Sequence, residues 1–236
     1  MEIYRYDITD STNKRAKHKV LDGVSLPALF IANGQTDGRG RQGKSFYSPE
    51  NTGLYMTLAL PSSYINCETV SITSLSAVCV ANAIKDIYNI DVKIKWINDL
   101  YYKDKKVCGI LAERVCDPET NETKSVIIGI GINLSTKDFP SDIKDTASSL
   151  FVNENLKDIL AEKISENLIS IKGNGKLLME KYRELSLVLG KEICFIKNNL
   201  KFYGIAQSIN DNGYLTVEKN DGSIEILSSG EISVRI

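Results

Sequence analysis

Two strands separated by a long polar loop set the tightest limit on what this chain can fold into. "ALFIA" (28–32) reads as a short buried strand. "GLYMTLAL" (53–60) alternates Leu54, Met56, Leu58 and Leu60 with Tyr55, Thr57 and Ala59, a strand period that Pro61 ends. Residues 33 to 53 between them are rich in Gly, Asn, Asp and Ser. A structureless loop that long in a compact chain is usually functional or disordered. Inside it, Gly38 to Ser45 ("GRGRQGKS") satisfies two phosphate-binding patterns at once, G-x-x-x-x-G-K-S and G-x-G-x-x-G. Both require a helix directly after the glycines, because the helix N-terminus supplies part of the phosphate site. Here "FYSPENTG" follows, and Pro49, Asn51 and Gly53 oppose a continuous helix. Both folds are therefore disfavoured, and the local physics remains. Gly38, Gly40 and Gly43 permit close backbone approach and positive φ. Arg39 and Arg41 offer forked donors to phosphate or carboxylate oxygens. In isolation the segment also fits a solvated flexible loop.

The rest of the chain alternates helical and strand patterns. "DSTNKRAKHKVLDG" opens with Asp10, Ser11 or Thr12 as a helix cap, and Gly23 closes the segment. Ile72, Leu75, Cys79, Ala83, Ile84 and Ile87 recur at helical spacing, predicting a helix from about 67 to 89. "VKIKW" (92–96) is a strand leading into the polar "NDL" corner. "KVCGILAERVC" and "KSVIIGIGINL" are two strands joined by "DPETNET". Leu156 to Ile171 and "KLLMEKYREL" read as helices separated by "KGNG". After Ser186 come five short strands punctuated by Asn198-Asn199, "NDNG" and "NDG". The expected architecture is α+β: a mixed sheet with helices over 1–185, and a small β-barrel over 186–236.

Composition removes several functions. The chain has 236 residues, a net charge of -1 and a pI of about 6.0. Nucleic-acid binders more often carry a basic excess, because phosphate neutralisation dominates their affinity. No apolar run approaches the ~20 residues of a membrane span. The start "MEIYRYDITD" lacks a basic-then-apolar export signal, so a cytoplasmic protein is expected. The five cysteines (Cys67, Cys79, Cys108, Cys116, Cys194) contain no C-x-x-C and read as reduced thiols. His18 lies in a lysine-rich segment and reads as a surface residue.

Two further stretches carry chemistry. "KWINDLYYKDKKVCGILAE" (95–113) sets Lys95, Trp96, Asn98 and Asp99 at a strand end, with Lys105 and Lys106 before the next strand. Such a corner can position a metal, a ribose or a phosphate. Equally, Trp96 reads as core and Lys105 as surface charge. "GIGINL" places Gly129 and Gly131 on one strand face, which marks either a ligand's close approach or tight packing.

Taken together, "DSTN" (10–13), "GQTDGRGRQGKSFYSP" (34–49), "KWINDLYYKDKKVCGIL" (95–111), "GIGIN" (129–133), "ASSL" (147–150) and "GEISVR" (230–235) resemble the biotin–protein ligases, in order and over nearly the whole chain. The resemblance implies a sheet like the class II aminoacyl-tRNA synthetase core, and an SH3-like C-terminal barrel. It implies an ATP-dependent enzyme that forms biotinyl-5′-AMP and then biotinylates a lysine of a biotin carboxyl carrier domain. Biotin, ATP and Mg²⁺ are the implied ligands, and sheet edges leave a homodimer open. The N-terminal DNA-binding domain that some family members carry has no counterpart before "DSTN", so no DNA partner is expected.

Residue by residue, the resemblance places Ser11, Thr12 and Gln35 at the biotin ureido ring. Gly38 and Arg39 fall at the biotin side and carboxylate side of the loop. Arg41 would retain the adenylate and Phe46 cover the adenine. Asn98 and Asp99 would sit at the nucleotide and Mg²⁺. Lys106 matches the catalytic lysine and Gly109 a backbone contact to biotin. Gly129, Gly131 and Asn133 match the strand passing biotin and adenine. Arg39, Arg41 and Lys106 are the implied catalytic groups. The chain departs from the family at Ile97, where proline is common, at Gln42, where arginine is frequent, and in "ASSL", which has serine where threonine is frequent. Lys44-Ser45 is expected to carry the least chemistry of the loop. A lipoate ligase and a non-catalytic biotin sensor are the competing readings.

Overall fold

The computed structural model describes residues 1–64, 69–197, 200–229 and 232–234. Cys67, the Asn198-Asn199 turn, and Gly230, Glu231, Arg235 and Ile236 of the terminal run lie outside them. In chain order the first elements are β1 (Glu2–Thr9), α1 (Thr12–Leu21), β2 (Ala28–Gln35), β3 (Gly53–Pro61) and α2 (Thr69–Tyr88). Next come β4 (Lys93–Lys95), β5 (Asp99–Tyr102), β6 (Lys105–Cys116), β7 (Thr123–Asn133), α3 (Lys157–Ile169) and α4 (Gly175–Leu185). Then follow β8 (Glu192–Lys197), β9 (Leu200–Ile209), β10 (Leu215–Lys219), β11 (Ile224–Leu227) and β12 (Ile232–Val234).

The alternation in β3 has a direct structural meaning. Its two side-chain sets point to opposite faces of a seven-stranded sheet ordered β1-β2-β3-β7-β6-β5-β4. Leu54, Met56, Leu58 and Leu60 join the main core with Ile128, Ile130 and Ile132 of β7. The apolar stripe of α2 (Ile72, Leu75, Val78, Cys79, Ile84) and the Leu160, Ile164 and Leu168 stripe of α3 belong to that same core. Each aliphatic chain buried this way contributes about 1.5–3 kcal/mol. On the other face, Phe30, Ala59 and Ile127 pack with Ala16 and Val20 of α1 in a smaller cluster. That smaller cluster covers only one end of the face.

Only β1 and β2 pair in parallel, with α1 as the crossover; the other neighbours in this sheet are antiparallel. Two strands lie outside the sequence expectation. β1 is an edge strand whose outward Ile3, Arg5 and Asp7 are exposed, so it lacks a strong apolar signal. β5 has only four residues and starts within the polar corner. The C-terminal strands form a separate antiparallel sheet ordered β11-β10-β9-β8-β12.

The tip between β9 and β10 is bonded to the larger layer. Trp96 Nε1 donates to the Gly213 carbonyl at 2.8 Å, and Ser71 Oγ to that of Asn212 at 3.0 Å. Arg183 Nε donates to the Ile209 carbonyl at 2.6 Å, and its guanidinium pairs with Asp211. Trp96 is thus core, as one of its two readings expected.

Candidate active site

The uncovered part of the α1 face opens into a cavity of about 320 Å³. That volume lies within the range of small-molecule sites. Antiparallel register builds its floor. Asp99, Gly109, Gly131 and Tyr55 stand in one row across β5, β6, β7 and β3. Leu111, Gly129 and Thr57 form the next row. Residues opposite one another in an antiparallel sheet share a face, so widely spaced sequence segments meet here.

Ser11, Thr12, Gln35, Arg39, Arg41, Phe46, Asn98, Asp99, Lys106, Gly109, Gly129, Gly131 and Asn133 all line the cavity. Gly38 stands behind the wall: a Cβ there would meet the Phe46 carbonyl at 2.4 Å and Ser48 Oγ at 2.7 Å. Lys95 of the strand-end corner lines it too, and the structure adds Asn13, Tyr47, Phe139 and, from the C-terminal sheet, Ile232. Asn13 was legible within "DSTN"; Phe139 and Ile232 carry no signal linking them to this site. Lys44 and Ser45 also line it.

The loop turns back on itself. A 3-10 turn over Arg41–Gly43 replaces any helix, and Arg39 bridges to Ser45 as in a hairpin. Gly40 N–H donates to the Lys44 carbonyl at 2.7 Å, and Phe46 N–H to that of Gly38 at 2.8 Å. Gln42 and Gly43 take φ values of 55° and 75°, a local left-handed reversal that glycine adopts readily. This geometry directs the arginines, rather than a helix N-terminus, to the cavity.

The two strand glycines admit side chains from within the chain. A Cβ on Gly129 would lie 2.0 Å from Asn13 Oδ1, and one on Gly131 2.4 Å from Phe46 Cε1. A Cβ on Gly109 would be 3.2 Å from the same ring. Phe46 therefore rests on the Gly109–Gly131 row.

One end of the cavity is polar and closely bonded. Thr12 N–H donates to Gln35 Oε1 at 2.8 Å, and Gln35 Nε2 to Ser48 Oγ at 3.0 Å. The other end is cationic. Arg39, Arg41, Lys44, Lys95 and Lys106 line the wall with Asp99, its one carboxylate among the described residues. Lys106 Nζ lies 2.8 Å from Asp99 Oδ1. Arg41 approaches Asn98 Oδ1 at 3.4 Å, while Asn98 Nδ2 donates to the Ile110 carbonyl at 2.9 Å. Tyr182 braces the same corner, donating to the Ile97 carbonyl at 3.0 Å across a cis Trp96–Ile97 peptide. Burial, then the Asp99 charge, pushes the Tyr101 phenol up to about 12. Burial also pushes the Cys108 thiol up, which disfavours thiolate chemistry beside the floor. Asn133 Nδ2 donates to the Ser148 carbonyl at 3.0 Å, leaving its buried Oδ1 without a partner among the described residues.

This arrangement suits a ligand with hydrogen-bonding groups at one end and anionic groups at the other. A sequence model described as Biotin/lipoate A/B protein ligase family matches residues 6–133. The chain belongs to the biotin/lipoate A/B protein ligase family. As a family member it is a ligase, and a second model, Biotin protein ligase C terminal domain, matches residues 188–235. Among curated relatives, the "Bifunctional ligase/repressor BirA" of Bacillus subtilis is 34% identical over 95% of this chain and 71% of its own length. The "Biotin--[acetyl-CoA-carboxylase] ligase" of Mycobacterium tuberculosis is 24% identical over 95% of this chain and 85% of its own. A solved biotin protein ligase from Aquifex aeolicus, in complex with biotin and ATP, superposes with a TM-score of 0.83. It is 29% identical, covering 99% of this chain and 98% of that one. These likenesses bear out the mixed sheet with its C-terminal barrel. Among the described residues, no helix is long and apolar enough to cross a membrane, and no three His, Cys, Asp or Glu cluster to hold a metal.

Proposed function

We propose that this ligase activates biotin with ATP and transfers it to a lysine of a biotin carboxyl carrier domain. The single observation that carries the reading is one cavity with a bonded Thr12–Gln35 end and an Arg39, Arg41 and Lys106 end. Ser11, Thr12 and Gln35 take the ureido ring, beside Gly109, Gly129 and Gly131. Gly38 keeps the loop close behind them, and Arg39 takes the carboxylate. Asn98 and Arg41 take the nucleotide, while Phe46 separates the biotin strand from the adenine. The unpartnered Oδ1 of Asn133 is an acceptor for the adenine amino group.

In the first step a carboxylate oxygen of biotin attacks the ATP α-phosphorus. The bond from that phosphorus to the β-bridging oxygen breaks, and pyrophosphate leaves. The carboxylate is already ionised at neutral pH, so no general base is required. The barrier is repulsion between anions, which Lys106, Arg39 and Arg41 lower by stabilising charge in the transition state. Asp99 and Asn98, one carboxylate and one carboxamide, would be the side chains to hold Mg²⁺, a hard cation that takes oxygen ligands. The ion would add charge neutralisation at the phosphates. In the second step a neutral lysine amine attacks the mixed anhydride, an amide forms and AMP leaves. The folded-back loop shields the adenylate from water.

Residues 1–185 form the unit that binds both substrates, and 186–236 the C-terminal unit, which reaches the cavity through Ile232. The uncovered edge of β1 is compatible with a homodimer. Free thiols at Cys79, Cys108, Cys116 and Cys194 support a reducing cytoplasm. The test is transfer: with biotin and ATP, the protein should biotinylate a purified carrier domain at its acceptor lysine. Lipoate in place of biotin should give no modification. Lipoylation without biotinylation would favour the lipoate branch of the family instead.

A further inference from the structure

A chain of hydrogen bonds runs from Glu113 on β6 to the polar end of the cavity. Asn13 Nδ2 donates to Glu113 Oε2 at 2.7 Å. Thr57 Oγ1 lies 2.6 Å from Asn13 Oδ1 and 2.8 Å from Thr12 Oγ1. Thr12 Oγ1 in turn lies 3.2 Å from Gln35 Oε1. The absence of a Cβ at Gly129 makes room for the Asn13 carboxamide in this chain. Thr57 is fully buried, and Thr12 and Asn13 are nearly so.

The directions follow from donor and acceptor counting. A carboxylate only accepts, so Asn13 must turn its NH₂ to Glu113 and its Oδ1 to Thr57. Asn13 Oδ1 cannot donate, so the one Thr57 hydrogen goes to it along the shorter contact. Thr12 then directs its own hydrogen inward, to Thr57 or to Gln35. Its lone pairs are left for the cavity.

We infer that Glu113, behind the cavity wall, is a positioning residue that fixes this polarity, so that Thr12 accepts an N–H of the ligand's ureido ring. The inference rests on the biotin reading above. Removing the carboxylate lets Asn13 flip. Thr57 then accepts from Asn13 and sends its hydrogen to Thr12, which loses acceptor capacity toward the ligand.

The experiment compares wild type, Glu113→Gln, Glu113→Leu and Thr57→Val in biotin-dependent adenylate formation, with thermal unfolding as a check on folding. A glutamine can still offer its carbonyl oxygen to Asn13 and should stay within about twofold of wild type. Glu113→Leu should raise KM for biotin roughly tenfold, the loss of one hydrogen bond, with kcat and KM for ATP little changed. Thr57→Val has no hydrogen to send to Thr12, so it should stay within about twofold of wild type, and adding Glu113→Leu to it should cost nothing further. Wild type should also reject at least one of the two biotins methylated on a single ureido nitrogen, and Glu113→Leu should lose that discrimination. Wild-type biotin binding is measured first. No binding overturns the biotin reading and this inference with it. Tight wild-type binding with unchanged KM and discrimination in Glu113→Leu, or an equal loss from Glu113→Leu in the Thr57→Val background, overturns the role of Glu113 alone. Should Glu113→Leu not fold, Glu113→Ala takes its place in both backgrounds.

Discussion

Lys106 Nζ and Asp99 Oδ1 stand 2.8 Å apart across the β5–β6 pairing, each side chain less than one-third exposed. The pair holds a cation at the cavity wall without neutralising the end as a whole, because Arg39, Arg41, Lys44 and Lys95 lie on the same wall. A positioned cation acts where charge develops, so Lys106→Met should lower the rate of adenylate formation by about 10²–10³-fold. Single-turnover kinetics with saturating biotin and ATP read this directly. Asp99→Asn should have a smaller effect, since the ammonium remains.

Arg41 joins the loop to the corner through Asn98. Its loss should loosen the loop over the intermediate. Arg41→Gly should therefore release free biotinyl-AMP into solution faster than wild type, as measured by chromatography of the quenched reaction. Unchanged release would remove Arg41 from the lid role.

Gly131→Ala introduces a Cβ only 2.4 Å from the Phe46 ring. Overpacking of this kind costs about 1–3 kcal/mol. Substrate affinity should fall, and Phe46→Leu should restore part of it. A double-mutant cycle measures the coupling, which should be non-additive for groups in contact.

Much of the fold was legible because β3 and α2 carry strong periodicities, and because turn residues separate the C-terminal strands. The cationic end was legible through its unusual arginines and the corner that follows Trp96. The polar network was only half legible. Thr57 and Glu113 look like ordinary strand residues, and only sheet register places Thr57 beside Gly129. β1 escaped notice because an edge strand exposes alternate charged residues. Ile232 reaches the cavity through tertiary docking, which local pattern does not encode.

Burial pushes the phenols of Tyr55 and Tyr101 up to about 12 from the ordinary 10.0. A group whose pKa is raised on folding stabilises the fold fully below its unfolded pKa, and that contribution is lost as pH rises through the folded value. Denaturant stability should therefore decline between about pH 10 and pH 12. A tyrosinate absorbance titration should show a late-ionising class in the folded protein, which merges with the rest after unfolding.

Biotin-dependent exchange of labelled pyrophosphate into ATP reads the first chemical step without any acceptor protein. Exchange should require biotin and collapse in Lys106→Met. Well-folded protein that shows no exchange, or exchange indifferent to biotin, would rule out adenylate formation in this cavity.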